Sequence, residues 1–210
     1  MSKKKFYENQ AKSIIHKLQA RKMEGYYCPD KESARDKILE LIGEGKKVVT
    51  YGGSVTLDEI GIKDEVEQAG HELLRRERYL TEEAKAECYA KQTMADVYLM
   101  STNAITLDGE LVNIDGAGNR VACLIHGPKE VIVVTGMNKV VTNAEEGIHR
   151  VRNIAAPPNT VRLLRDTPCA TTGRCGDCLN DTICCHTVIT RASRVPGRIK
   201  IVLVGEELGY

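Results

Sequence analysis

Five of the eight cysteines, Cys169, Cys175, Cys178, Cys184 and Cys185, fall within seventeen residues with the spacing C-x5-C-x2-C-x5-C-C. The residues between them are mainly Gly, Thr and Asp, so these thiols belong to a polar loop. Soft thiolates gathered this closely suit Zn²⁺ or an iron–sulfur cluster. The Cys175-x2-Cys178 pair lets two sulfurs reach one ion, and His186 is an alternative ligand. The spacing matches neither a two-knuckle zinc ribbon nor the bacterial ferredoxin run. Bound metal and reduced or redox-active thiols therefore both stay open. In the adjacent pair Cys184-Cys185, one cysteine can be a ligand and the other a small core residue. Disulfide frameworks belong to secreted, core-poor domains. Here 210 residues carry 42% hydrophobic content, and the basic start Met1-Ser2-Lys3-Lys4-Lys5 leads into no apolar run of the signal-peptide kind. A cytoplasmic location with reduced thiols is the expectation.

Two further stretches have residues suited to holding an anion. Gly52-Gly53-Ser54-Val55-Thr56 follows an apolar strand and precedes a helix. Glycines there allow close backbone approach, and helix-start amides with the Ser54 and Thr56 hydroxyls can hold a phosphate or carboxylate. It is neither a P-loop nor a dinucleotide fingerprint, and an ordinary turn with a serine cap explains it as well. Asn113-Ile114-Asp115-Gly116-Ala117-Gly118-Asn119-Arg120 is the other. Asp115 is an acid/base candidate there, Asn113 and Asn119 offer amides, and Arg120 can clamp a carboxylate bidentately. The plain alternative is a tight turn whose Asp and Asn satisfy their own backbone.

The elements that must position these groups follow from apolar periodicity. Helices are expected over 3–24 and 31–43, a buried strand over 47–51, and a strand near 71–76. Thr81 caps a further helix, and Ala95–Met100 is a strand. Asp108-Gly109 between two β-rich runs predicts a hairpin over 103–113. Residues 116–125 read as a glycine-led loop entering a helix, and Glu130–Thr135 as the most apolar strand. A helix from Thr142 or Asn143 should end near Ala155, where Pro157-Pro158 breaks it. The cysteine loop spans 166–186, and 198–204 closes the chain as a strand.

Helices alternating with short apolar strands predict a three-layer α/β fold around an open sheet, made mixed by the hairpin. Residues 1–46 form an N-terminal helical segment packed on a domain of residues 47–210. Lys plus Arg number 30 against 29 Asp plus Glu, so charge gives no argument for nucleic acid. No apolar run approaches a membrane span.

The blocks Gly52–Gly61, Ala95–Leu99, Asn103–Ala122 and Gly136–Val141 together resemble the lactate-utilisation (LUD) domain family over residues 5 to 204. The resemblance implies a Rossmann-like fold similar to the ribose-5-phosphate isomerase and CoA-transferase group, in which the glycine–serine turn holds phosphate or carboxylate. It also implies a role in organic-acid or L-lactate utilisation, with a small anionic metabolite as ligand and other lactate-utilisation subunits as partners. A homo-oligomer is compatible with this reading. Ser54 and Thr56 would then bind anion oxygens, and Asn119 and Arg120 would orient a carboxylate. An isomerase- or CoA-transferase-like enzyme, for whose transferase version Glu110 would be the acidic nucleophile, and a non-catalytic subunit with structural zinc are the alternatives. No flavin or nicotinamide fingerprint is visible, so any hydride or electron step needs an external carrier.

Overall fold

The computed structural model describes residues 2–210. Its strands, in chain order, are β1 (Glu24–Cys28), β2 (Val48–Tyr51), β3 (Glu72–Leu73), β4 (Val97–Met100), β5 (Ala104–Thr106), β6 (Leu111–Asp115), β7 (Glu130–Gly136), β8 (Val140–Val141), β9 (His186–Thr190) and β10 (Ile199–Val204). The helices are α1 (Ser2–Ala20), α2 (Lys31–Ile42), α3 (Val55–Ile60), α4 (Ile62–Gln68), α5 (Glu82–Thr93), α6 (Asn119–Ile125), α7 (Ala144–Arg150), α8 (Ala156–Arg162) and α9 (Pro168–Thr172).

Six strands form one sheet in the order β1-β10-β7-β4-β2-β3, with every pairing parallel. A parallel sheet is covered on both faces, so its strands read as continuous apolar runs. The two-residue period still sorts those runs. Val131, Val133, Ile199, Ile201 and Leu203 face the cluster that Ala11, Ile14 and Leu18 of α1 complete. Ile132, Val134, Val202 and Val204 face the opposite cluster, with Ala34, Ile38 and Ile42 of α2. Residues 24–28 pair with β10, so residues 2–46 supply an edge strand and two covering helices to this sheet. Among the described residues no helix is long and apolar enough to cross a membrane.

The predicted hairpin is present as β5 and β6, paired antiparallel. It belongs to a second sheet of order β8-β5-β6-β9, which carries the antiparallel pairings. Strand β9, which the periodicity did not signal, pairs with β6 so that His186 lies opposite Asp115. The end of the cysteine segment is thereby stapled to the 113–120 loop, and the Cys185 N–H donates to the Asp115 carbonyl at 3.0 Å.

One expectation is corrected. Pro157-Pro158 does not break the helix that begins after its Asn143 cap. Helix α7 runs through a π-helical turn, Val151–Ala155, directly into α8, with αR backbone at both junctions. Two prolines lack the N–H groups that would bond four residues back. The wider turn accommodates them: the Ala156 N–H bonds to the Val151 carbonyl five residues earlier, and the prolines sit in the first turn of α8.

Candidate functional site

In the sheet order, the chain leaves β2 towards β3 and then crosses back to β4. Open α/β sheets bind ligands outside the carboxyl ends of strands at such a reversal. A cleft of about 670 Å³ lies there. Gly53–Thr56 line it after β2, Ser101–Asn103 after β4, Lys139 after β7, and Ile114–Ala117 at the end of β6 and just beyond it. Its far wall is made by α8 and by Leu179 and Asp181–Cys185 of the cysteine segment, with Tyr210 at the edge.

Lys139 ends the 3₁₀ turn Met137–Lys139 that follows the buried strand β7. Only 4% of it is exposed. Its ammonium donates to the Thr56 hydroxyl at 2.9 Å and the Ser101 hydroxyl at 3.1 Å. No carboxylate forms an ion pair with it among the described residues. Burial, reinforced by Arg150 and Arg120, lowers its pKa to about 7. A cation this buried with only neutral partners is costly, and such groups concentrate at sites that bind or turn over ligands. The tail closes over it. The Thr56 hydroxyl reaches the Leu208 carbonyl at 3.4 Å, and the Gly209 N–H donates to Glu59 at 2.7 Å. Gly209 has φ +59°, and a Cβ there would lie 2.6 Å from the Thr56 hydroxyl, so only glycine suits that approach.

Ser54 caps α3, accepting from the Leu57 N–H at 3.2 Å, while Gly53 lies against the Arg76 guanidinium. Gly52 sits one step further in, against the Tyr98 hydroxyl and the stem of Arg120. The turn thus presents Ser54, Thr56, Arg76 and Lys139 to one space.

Asp115, Asn113 and Arg120 do come together, but they engage one another. Arg120 contacts the Asp115 carboxylate through Nε at 3.1 Å. It donates to Asn113 Oδ1 at 2.5 Å, the Ser101 carbonyl at 3.2 Å, Asn103 Oδ1 at 2.9 Å and the Ile114 carbonyl at 3.0 Å. The other Asp115 oxygen accepts from the Gly118 N–H at 2.8 Å. The expectation of a free Arg120 clamp for a ligand carboxylate is therefore corrected, because its donors hold the β4, β6 and 113–120 backbones in register. Asp115 is likewise committed as its counter-ion. Asn113 is fully buried, with Nδ2 unpartnered. Asn119 opens α6 on the cleft wall.

Glu110 lies apart from the cleft, at the far end of the hairpin, where it faces Arg21 at 3.6 Å. A covalent role at this site is thus excluded for it by position. Five cationic side chains line the cleft (Arg76, Arg120, Lys139, Arg162 and Arg165) against two acidic ones. Asp115 is paired to Arg120 and Asp181 to Arg165. The remaining field favours an anion.

Of the five clustered cysteines, Cys169 is buried, Cys175, Cys178 and Cys184 are half-buried, and Cys185 is exposed. Burial raises the Cys184 thiol pKa, and the neighbouring Cys175, Cys169 and Cys178 push it the same way. Among the described residues, no three His, Cys, Asp or Glu side chains converge closely enough as placed to hold a metal ion. Lys139, Ser101, Asn103, Arg76, Arg162 and Arg165 are among the cleft residues that sequence reasoning missed. The available signal for Lys139 was a lysine following an apolar strand with no acid near it in the chain.

A family model described as LUD domain matches residues 11–204. The fold is similar to that of a DUF162 family protein from Deinococcus radiodurans, with a TM-score of 0.54 at 15% identity over 96% of this chain and 97% of that one. A ribose 5-phosphate isomerase from Plasmodium falciparum overlaps 54% of this chain and 53% of its own, at 14% identity and a TM-score of 0.34. No curated protein sequence matches the chain.

Proposed function

The chain belongs to the LUD domain family, and on that basis we propose that it binds a small anionic metabolite, a carboxylic or phosphorylated acid of lactate or related organic-acid utilisation, in the cleft at the β2–β4 reversal. The observation that carries this reading is Lys139, a buried ammonium held only by the Thr56 and Ser101 hydroxyls. An anion docked on the 53–56 turn supplies the missing countercharge. Arg76 closes on it from the side, and the Asp115–Arg120 pair keeps the opposing loop rigid.

With its pKa near 7, Lys139 is also the cleft group able to hold or release a proton at neutral pH. Asp115, fixed between Arg120 and the Gly118 N–H, is less suited to that task. Proton transfer at a bound hydroxy or oxo acid is then the step this chain can serve. Electrons or hydride would come from a partner protein or carrier of the same utilisation system.

Calorimetry and thermal shift with L-lactate, pyruvate, glycolate and inorganic phosphate test the proposal. Saturable binding of at least one of these is expected, weakened at least about tenfold in Lys139→Met, the loss of one charge-assisted contact. Glu110→Gln should bind like the parent. Absence of binding to every anion at millimolar concentration, or equal binding by Lys139→Met, overturns it.

A further inference from the structure

One face of the continuous α7–α8 helix lines the cleft along its length. Val151, Ala155, Ala156, Asn159, Arg162 and Leu163 are its lining residues, spaced by the three- and four-residue steps of a single helical face. The helix passes the buried ammonium early in its course. Arg150 donates to the Asn138 carbonyl at 3.3 Å, and Asn138 precedes Lys139 in the same 3₁₀ turn. Arg162 comes twelve residues after Arg150, roughly 18 Å further along the axis at about 1.5 Å per residue. Lys139 thus lies buried in the floor at one end, and Arg162 stands exposed on the rim at the other.

These two cations differ from the other three of the cleft. Arg120 is paired to Asp115, Arg165 to Asp181, and Arg76 faces its neighbour Glu77 at 3.7 Å. Among the described residues neither Lys139 nor Arg162 has a carboxylate partner. Hydroxyls hold the first, and an amide oxygen holds the second: Arg162 Nε and Nη2 donate to Asn159 Oδ1 at 3.2 Å and 2.7 Å. The guanidinium is therefore fixed in direction while its Nη1–Nη2 edge stays open to another acceptor. The helix end that carries it is fixed as well. Leu164 takes a left-handed φ of +53°, and the Arg165 N–H returns to the Thr160 carbonyl at 3.0 Å. Asp181 then accepts from Arg165 at 2.9 Å and from the Asp166 N–H at 2.8 Å, tying the helix end to the segment that carries Leu179.

Between the two charges this wall is mainly apolar. Val151, Ala155 and Ala156 supply small side chains from the helix, and Leu163 and Leu179 follow near the rim. Leu179 is 92% exposed and Leu163 41%, apolar surface that the chain itself leaves uncovered. The cleft volume of about 670 Å³ points the same way, since pockets of about 300–1,000 Å³ enclose most of a drug-sized molecule. A three-carbon acid docked on Lys139 would leave the stretch towards Arg162 empty.

We propose that the ligand is an elongated dianion, with one carboxylate or phosphate on Lys139 and the 53–56 turn, an apolar chain along Val151, Ala155 and Leu179, and a second carboxylate or phosphate on Arg162. This rests on the anion site proposed above, because the first charge occupies it. Arg162 is then the residue that selects for the second charge. Its open guanidinium edge offers two parallel N–H donors, which suit either head group. The apolar wall sets the distance between the charges and rewards a chain long enough to cover it.

Calorimetry on the full chain tests this with α,ω-dicarboxylates from succinate to dodecanedioate, each compared with the monocarboxylate of the same chain length. The ω-phosphono acids of the same lengths form a second arm that tells the two head groups apart. Monocarboxylates should tighten steadily with length as methylenes are covered. A dianion should exceed its monocarboxylate by at least about tenfold at one longer chain length, where it spans floor to rim. Succinate should show no such gain. In Arg162→Gln the ratio of dianion to monocarboxylate affinity at that length should fall to about one. A gain with either head group upholds the proposal. A ratio near one at every length for both head groups, or a gain that survives in Arg162→Gln, overturns the elongated ligand and leaves the Lys139 anion site standing. No binding by any member of the three series overturns both. The chain-length comparison is read on the unmutated protein, so it decides the matter whatever Arg162→Gln does to folding.

Discussion

Replacing Lys139 with Met should make the protein more stable while removing its anion binding. A lysine ordinarily titrates at 10.5; burial first, then Arg150 and Arg120, bring this one to about 7. At about 1.4 kcal/mol per pH unit, that difference corresponds to about 5 kcal/mol against the charged form in the fold. At pH 7 half of the folded molecules have shed the proton, and about 4 kcal/mol of the penalty remains. Methionine removes the penalty and fills a similar volume with a flexible chain. Against this stand the two lost hydrogen bonds to Thr56 and Ser101, at about 1 kcal/mol each. The net gain is about 2 kcal/mol, or a rise of about 4–8 °C in melting temperature for a chain of this size. The pH dependence supplies an internal check. Between pH 7 and 10.5 the unfolded chain keeps the proton that the folded chain has released, so parent stability rises with pH across that window. Lys139→Met lacks this rise, so its advantage should vanish near pH 9 and reverse to a deficit of about 1 kcal/mol at pH 10, where about 0.8 kcal/mol of penalty is left against the two lost hydrogen bonds. Denaturant titrations of both proteins at pH 7 and pH 10 measure it. A variant less stable than its parent at pH 7, or a gap that does not change with pH, refutes the reasoning.

Anion affinity of the parent should fall above pH 7, by up to about tenfold per pH unit, because the neutral amine no longer supplies charge; calorimetry in buffers of different ionisation enthalpy should show proton uptake on binding. Arg120→Ala leaves Asp115 buried without its partner and should cost about 3–5 kcal/mol, read as a fall in the denaturation midpoint. A loss below about 1 kcal/mol would show that the loop does not depend on this pair. Gly209→Ala forces a Cβ into a left-handed residue against the Thr56 hydroxyl. It should cost about 1–3 kcal/mol and weaken anion binding by lifting the tail from Lys139; unchanged binding would separate the tail from the site.

Much of the architecture was legible in the chain because its signals are local. Val131–Val134 and Ile199–Val204 are apolar enough to be buried strands whatever surrounds them, and Asp108-Gly109 dictates a reversal by its own backbone preferences. The Ser54 and Thr81 caps require only the three residues that follow each of them. The Gly53–Thr56 turn and the 113–120 loop were recognisable as polar concentrations for the same reason. Tertiary structure decided which of their groups stay available. Arg120 looks like a free clamp until Ser101 and Asn103, brought in by β4 and the start of the second sheet, take up its donors. Lys139 is unremarkable in sequence and becomes a site only because β7 delivers it to Thr56, 83 positions away. Cys184 and Cys185 are identical neighbours in the chain and both line the cleft, yet the fold leaves the first half-buried against the cluster of Val112, Ile114 and Val151 and the second exposed. Residue type and spacing determined which chemistries this protein can host. Burial, and the pairing of polar atoms across long sequence separations, decided which residues can still perform them, because a group's charge and reactivity depend on its solvation and partners more than on its place in the chain.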